Sequence, residues 1–150
     1  PSGKCVCSRR EVERYVEKIS GPLLDRIDLH INVPSVEYEA LRRKTAPEDS
    51  AAVRERVLAA RAIQLARFVG TDVKCNAQLP PSMLAAACAL DAAGDRLMKS
   101  AFERMGLTAR SHDRVLRVAR TIADLEGAER IEAAHLAEAV QYRNTEILRG

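Results

Sequence analysis

Apolar residues recur at helical spacing along most of this chain after residue 50. The pattern predicts helices over 50–68, 83–89, 92–105, 108–125 and 132–142. Boundary residues support these limits, because Asp91 is a good N-cap and Gly70, Gly106 and Gly127 are good terminators. The residues expected to face inward share this spacing and are Val53, Val57, Leu65, Phe68, Val115, Val118, Ile122, Leu125, Ile131, Leu136 and Val140. Together they predict a helical bundle.

The N-terminal region follows a different pattern. Ser8 and Glu11 form a capping-box sequence, which predicts a helix over 9–19 that ends at Ser20-Gly21-Pro22. From Arg26 the period changes to two, and this alternation predicts a strand that closes at Pro34. Its apolar positions are Ile27, Leu29, Ile31 and Val33. A lone strand must pair its backbone with another segment, and the sequence predicts no second strand.

Two connecting segments separate the predicted elements. A short charged helix is predicted near 36–44, followed by a break at Ala46-Pro47. The stretch "CNAQLPPSM" over 75–83 contains two prolines and is predicted to be an extended connector.

Composition favours a mostly α fold. The 150 residues are 47% apolar and only 3% aromatic, with no Trp, which suits an alanine- and leucine-rich helical protein. The net charge of +3 comes from 24 basic and 21 acidic residues mixed along the chain, and this is too weak to indicate nucleic-acid binding by itself. No apolar run approaches the roughly 20 residues of a membrane span, so we expect a cytoplasmic protein. Because the chain begins at Pro1, we expect it to be part of a longer protein.

The common catalytic motifs are absent, and the cysteines are the main candidates for metal chemistry. "SGKC" at residues 2–5 lacks the rest of a phosphate-binding loop, and the three histidines are scattered and expected to be structural. Cys5 and Cys7 are spaced closely enough to share a zinc ion, but a structural zinc site needs four ligands. Cys88 lies in an apolar helix and is expected to be a small core residue.

Several arginines have two open interpretations. Arg26 lies between Asp25 and Asp28, so it either forms a local surface ion pair or presents its guanidinium to a phosphate on another molecule. Arg110, Arg114 and Arg117 recur on one face of the helix over 108–125. Either they form a solvated face, or the first of them, Arg110, points into a phosphate site near the helix N-terminus, where the helix dipole would add to the attraction.

Four longer segments resemble the magnesium-chelatase-like AAA+ ATPases, specifically the bacterial competence-associated ComM group. These segments are "YVEKISGPLLDRIDLHINVP", "VRERVLAARAIQLARF", "NAQLPP" and "RVLRVARTIADLEGAERIEAAHLAEAVQYR". The resemblance covers nearly the whole chain. It implies that residues 1–34 are the end of an α/β AAA+ core with its last strand, 35–50 a linker with a short helix, and 51–150 a helical lid domain.

The resemblance also implies roles for individual residues. Arg26 matches the arginine finger, which reaches the nucleotide of a neighbouring subunit, and Arg110 best matches the sensor-2 arginine, with Arg114 as second choice. Cys5 and Cys7 match the second half of a family cysteine cluster, which makes them candidate ligands for half of a zinc site. ATP and Mg²⁺ would be cofactors of the longer protein. The Walker A and Walker B segments do not lie in these residues, so this chain alone is not expected to bind ATP tightly or hydrolyse it.

The implied function is that of a DNA motor, in which six identical subunits form a ring and act as a helicase in branch migration during transformation and recombination. No membrane partner is expected. One alternative is a magnesium-chelatase ATPase subunit that drives metal insertion into a porphyrin. Another is a stand-alone helical module that binds DNA through Arg110, Arg114 and Arg117.

Overall fold

The computed structural model describes residues 6–36, 38, 42 and 48–143. The helices whose bounds lie within the described residues are, in chain order, α1 (Arg9–Val16), α2 (Gly21–Leu24), α3 (Ser50–Arg67), α4 (Pro81–Ala87), α5 (Ala92–Met105), α6 (Ala109–Leu125) and α7 (Ala133–Gln141), with a 3₁₀ turn at Asn76–Gln78. The prediction of a mostly α fold is confirmed. Among the described helices, none has the length and apolar character needed to cross a bilayer.

Local sequence signals set the helix ends. Ser8 and Glu11 form the predicted capping box, in which the Ser8 backbone N–H donates to Glu11 Oε2 at 2.8 Å. Asp91 accepts two backbone N–H bonds, at 3.0 and 2.7 Å, from the first turn of α5. Gly106 ends α5 with a φ of 60°, a left-handed conformation that costs glycine the least. These caps explain why the predicted limits of α5 agree with the structure.

Helix α6 lies at the centre of the bundle. It contacts α3, α4, α7 and the 3₁₀ turn, while α5 packs against α7. Its Val115, Ala119 and Ala123 are completely buried. Burying a side chain of valine or leucine size fully contributes about 1.5–3 kcal/mol. The other buried apolar residues of the core are Phe68, Leu79, Leu84, Cys88, Met98, Ala101, Leu107, Leu116, Ile122, Ile131, Leu136 and Ala139.

The predicted inward face is wrong for much of α3. Phe68 is buried as predicted, but three other residues are 39–48% exposed, namely Val53, Val57 and Leu65. The buried residues of α3 are Ala60 and Gln64. The small side chain of Ala60 permits close approach of neighbouring residues, and the Gln64 side-chain oxygen accepts the Asn76 backbone N–H at 3.4 Å. Leu125, also predicted inward, is 45% exposed and lines a shallow groove with Val53 and Val57.

The predicted strand over 26–33 is also wrong within the described residues. This segment is irregular, and Ile31 and Val33 are 65% and 81% exposed. Its attachments include the His30 backbone N–H, which donates to the Tyr142 carbonyl at 2.8 Å. A strand requires a neighbouring segment to pair its backbone, and no described segment forms a ladder with this one.

The two predicted connecting segments, over 36–47 and 75–83, differ in how far the structure tests them. The short helix near 36–44 and the break at Ala46-Pro47 fall mostly outside the described residues. The connector over 75–83 is not simply extended, because it contains the 3₁₀ turn and the first residues of α4. Helix α4 starts two residues earlier than predicted, since Pro81 occupies its first turn, where a missing N–H costs nothing.

Candidate functional site

Arg26 lies in the turn that follows α2. Pro22 stands in the first turn of α2, and the Arg26 backbone N–H closes the helix by donating to the Leu23 carbonyl at 2.9 Å. The Arg26 side chain is exposed. No described residue forms a hydrogen bond or ion pair with it. The guanidinium is therefore held on an ordered turn but is not committed to a partner in this part of the chain.

Asp25, the residue before Arg26, is bound by residues from the start of α6 and from just after α7. Its Oδ1 accepts the Ser111 hydroxyl at 2.9 Å and Arg143 Nη2 at 3.3 Å, and its Oδ2 accepts the Thr108 hydroxyl at 3.3 Å. Thr108 is the N-cap of α6, and Arg143 follows the end of α7. We refer to Asp25, Thr108, Ser111 and Arg143 as the Asp25 cluster.

The residues after Arg26 are attached to the same domain. Arg143 Nη1 donates to the Ile27 carbonyl, while its Nη2 also donates to Ser111 Oγ at 3.0 Å. Asp28 forms an ion pair with Arg114 of α6. Both carboxylates expected as local partners of Arg26 are thus occupied by other groups. The interpretation of Arg26 as half of a local ion pair is therefore wrong among the described residues.

The three arginines on α6 share a face, as predicted, but differ in availability. Arg110 is exposed in the first turn, and its side chain makes no hydrogen bond or ion pair with a described residue. Arg114 pairs with Asp28, and its side chain is only 22% exposed. Arg117 donates to the Leu79 carbonyl from Nε and Nη2, at 3.3 and 2.9 Å. Two of the three guanidinium groups, those of Arg114 and Arg117, are therefore engaged within the chain, while that of Arg110 is uncommitted among the described residues.

A broad cleft of about 940 Å³ lies beside the Asp25 cluster. Its walls come from α1, α2 and the adjoining ends of α5, α6 and α7, and its charged lining includes Glu17, Asp25, Arg104 and Arg143. Opposite charges are mixed in this lining, and the Asp25 carboxylate already binds the Arg143 guanidinium. The cleft therefore has no strong preference for one sign of ligand charge.

His30 lies half-buried against the Asp25 cluster. Neither of its ring nitrogens has a hydrogen bond of normal geometry among the described residues. Burial lowers the pKa of His30 below its ordinary 6.5, and the nearby positive charge of Arg143 lowers the pKa further. The backbone of Leu24 and the carboxylate of Asp25 oppose this shift. The neutral imidazole is therefore the form that fits the folded chain.

We expect the free energy of unfolding to decrease as the pH falls below about 6.5, because the unfolded chain binds a proton at His30 that the folded chain resists. One such proton gives a slope of at most about 1.4 kcal/mol per pH unit. Urea unfolding of the chain at pH 7.5 and 5.5 measures this slope. His30→Gln should flatten it, and His112→Gln, on the surface of α6, is the matched control. Identical slopes in the parent chain and His30→Gln would contradict the prediction.

The cysteines predicted as zinc ligands do not form a complete site in the described residues. Cys7 is exposed, and Cys5 lies outside the described part of the chain. No cluster of three or more His, Cys, Asp or Glu residues that could hold a metal ion occurs among the described residues. Cys88 is a core residue, as predicted, and burial raises the pKa of its thiol to about 11.

A buried polar network that the hydrophobic pattern did not predict joins α3, the 3₁₀ turn and α6. The Asp124 side chain is completely buried and accepts Arg67 Nη1 at 2.9 Å, Asn76 Nδ2 at 2.7 Å and Arg120 Nε at 3.1 Å. Burial alone would raise the pKa of Asp124, but the hydrogen bonds from Arg67 and Asn76 and the charge of Arg120 hold that pKa below its ordinary value. The i, i+4 spacing of Arg120 and Asp124 was the one visible signal.

The structure consists of a helical domain and a turn that carries Arg26, and hydrogen bonds and ion pairs attach this turn to the domain. Residues 47–143 match the family model described as "Magnesium chelatase, subunit ChlI C-terminal", and residues 1–41 match the model described as "Magnesium chelatase, subunit ChlI". The chain belongs to the magnesium-chelatase-like family, which confirms the resemblance found in the sequence.

Three curated relatives illustrate the match. Competence protein ComM of Haemophilus influenzae is 41% identical over 137 residues, which cover 91% of this chain. Uncharacterized protein YifB of Escherichia coli is 37% identical over 138 residues, also 91% of the chain, and uncharacterized protein Rv2897c of Mycobacterium tuberculosis is 32% identical over 141 residues, or 94%. The matched regions are 26%, 26% and 28% of those relatives, so the chain spans about a quarter of their length.

Proposed function

We propose that this chain is part of an AAA+ ATPase motor that acts on DNA, and that Arg26 is its arginine finger. The observation that carries the proposal is the state of Arg26 and its neighbours. Asp25 and Asp28 both bind groups of the helical domain, while the Arg26 guanidinium is exposed and has no partner among the described residues. An arginine that only stabilised this chain would be expected to use one of those nearby carboxylates.

This arrangement suits contact with a phosphate on a second subunit. A guanidinium presents a planar fork of N–H donors that matches phosphate oxygens, and it remains charged at any physiological pH. A donor that is already oriented before the reaction stabilises developing charge without reorganising. Arginine fingers supplied in trans are associated with rate gains of about 10³–10⁵. We therefore infer that Arg26 acts on the γ-phosphate of ATP bound by an adjacent, identical subunit.

Arg110 is the better of the two sensor-2 candidates. It is exposed and uncommitted in the first turn of α6, whereas Arg114 is already paired with Asp28. In the proposed assembly, Arg110 approaches the ATP of its own subunit. Arg114 instead holds the Arg26 turn against α6.

The remaining parts of the proposal come from the family resemblance. The complete protein would bind ATP and Mg²⁺, assemble as a hexameric ring in the cytoplasm and act on DNA. Residues 1–34 would complete its AAA+ core, 35–50 would be a linker, and 51–150 would form the lid. Cys5 and Cys7 would supply two ligands to a zinc site that other residues complete.

The experiment that tests this function measures ATP turnover by the complete protein without DNA, with duplex DNA and with a branched junction. We expect DNA to stimulate turnover and ATP to drive movement of the junction. The second candidate, favoured by the chelatase wording of both family models, is a magnesium-chelatase subunit. If DNA does not stimulate ATP turnover, and turnover instead supports insertion of a metal ion into a porphyrin, the DNA-motor proposal is overturned and the chelatase candidate is selected.

Arg110→Ala in the complete protein is expected to raise the KM for ATP about 10–100-fold, because losing a hydrogen bond to a charged group costs about 1.5–3 kcal/mol. Steady-state ATP hydrolysis measures this effect. Arg96→Ala, which removes an exposed arginine from α5, is the matched control and should leave the KM unchanged. If Arg114→Ala raises the KM and Arg110→Ala does not, the sensor-2 assignment belongs to Arg114.

A further inference from the structure

A single buried guanidinium binds the chain on both sides of Arg26. Arg143 Nη2 donates to the Asp25 carboxylate at 3.3 Å, and Arg143 Nη1 donates to the Ile27 carbonyl. The Arg143 side chain is only 3% exposed. Residues 25 and 27 are thus held by the same side chain, while the residue between them projects into solvent.

We propose that Arg143 and Asp25 are positioning residues for Arg26, which fix the direction of its side chain relative to the helical domain. This inference rests on the proposed function of Arg26. A planar guanidinium can bind two acceptors at a fixed separation, which a point-like ammonium cannot do with the same geometry. The bond from Arg143 Nη2 to Ser111 Oγ at 3.0 Å further fixes the orientation of the fork. The turn therefore has little freedom to rotate between residues 25 and 27.

The Asp25 cluster also connects Arg26 with the start of α6. Thr108 and Ser111, which donate to Asp25, lie on either side of Arg110 in the sequence. A displacement of this helix start is therefore passed to the residue next to Arg26 through two hydrogen bonds. In this way the Asp25 cluster would keep Arg26 and Arg110, the two proposed nucleotide-binding arginines, at a fixed distance and orientation relative to each other.

A purely structural role for Arg143 predicts a different result from a positioning role. A structural role predicts that its loss lowers stability, and that any variant which still folds and assembles hydrolyses ATP normally. A positioning role predicts a lower kcat in variants that remain folded, because a misplacement of about 1 Å at a reacting group can cost about 10²-fold in rate. The KM for ATP should change little, since the proposed finger stabilises charge that develops in the transition state and contributes little to ground-state binding.

The test uses Arg143→Lys and Asp25→Asn in the complete protein, with Arg96→Lys as the control for an exposed arginine of α5. Circular dichroism and the size of the assembly establish that each variant is folded and oligomeric. We expect each of the two variants to lower kcat about 10–100-fold with the KM for ATP within twofold of the parent. If Arg143→Lys does not fold, Asp25→Asn alone decides, because its isosteric side chain lies in a partly exposed position.

A second measurement separates this proposal from the one on which it rests. In an Arg26→Ala background, Arg143→Lys should cause no further loss of kcat, because residues that act through one group are non-additive. If Arg26→Ala leaves turnover unchanged, the finger assignment fails. If Arg26→Ala abolishes turnover while folded Asp25→Asn and Arg143→Lys retain the parental kcat, only the positioning role is overturned.

Discussion

Replacing Arg26 by alanine in the complete protein is expected to lower ATP turnover by about 10³–10⁵-fold while ATP binding is nearly retained. The physical reason is that, as the proposed finger, the guanidinium would stabilise charge that develops on the transferred phosphoryl group and would contribute little to ground-state binding. Measurements of kcat and of nucleotide affinity by titration separate the two effects. The matched control is Arg96→Ala, which removes another exposed arginine. Unchanged turnover in Arg26→Ala would remove the basis of the finger assignment.

Mixing subunits tests whether Arg26 acts in trans. In the proposed assembly, a subunit with Arg26→Ala would keep its own ATP site, and a subunit that cannot bind ATP would keep its Arg26. If the finger reaches a neighbour, a mixture of these two inactive proteins regains part of the parental turnover, because some interfaces combine an intact site with an intact arginine. No recovery in rings shown to contain both subunits would indicate that Arg26 does not serve the adjacent nucleotide.

Asp124→Ala is expected to destabilise the chain by about 3–5 kcal/mol, since removing one partner of a buried ion pair leaves uncompensated charge. Two guanidinium groups depend on this carboxylate. The Arg120 side chain is 3% exposed and that of Arg67 is 22% exposed, and both donate to Asp124. Denaturant unfolding measures the loss. The control is Asp72→Ala, which removes an exposed carboxylate from the loop after α3.

Asp124→Asn separates the charge of this residue from its shape. The amide keeps the size of the side chain and one oxygen acceptor, so part of the hydrogen bonding to Arg67, Arg120 and Asn76 is retained. We expect the loss of stability to be smaller than for Asp124→Ala but larger than for the Asp72 control. If Asp124→Ala unfolds at the same denaturant concentration as the parent chain, the network is not a determinant of stability.

The sequence predicted the helices well because their ends are encoded locally. Asp91 caps α5 through its own side chain, and Gly106 ends that helix through its own backbone conformation. Inward faces were predicted less well, because burial depends on neighbours. Gln64 is buried through its contact with Asn76, which a hydrophobicity pattern does not register, while Val53 lies on the expected stripe but has little covering it.

The strand prediction shows the same limit. The alternation of apolar and polar residues along 26–33 predicts which residues could share one face, but a strand also needs a second segment to pair with its backbone. In the described chain, these residues are instead attached through His30 and the Asp25 cluster. Local pattern and final conformation therefore disagree where the partner is not local.

The candidate site was only partly predictable. Arg26 could be named as a candidate from its neighbours and from the family resemblance, but the residues that hold its turn could not. Arg143 lies 116 positions from Ile27, and Arg67 lies 57 positions from Asp124. Contacts at such separations leave no periodic trace in one sequence. Only the fold brings these groups together.

The carboxylate of Asp25 lies at the start of α6, and this affects how an anionic ligand would be attracted there. A helix N-terminus attracts negative charge because its first N–H groups and the helix dipole favour an anion there. In this chain, the Asp25 carboxylate already lies at that position, bound to the hydroxyls of Thr108 and Ser111. A phosphate approaching Arg110 would therefore meet a helix start that already faces the ion pair of Asp25 and Arg143. Its attraction must come from the side chain of Arg110 itself, so a lysine there should retain much of the attraction and an uncharged residue should retain very little.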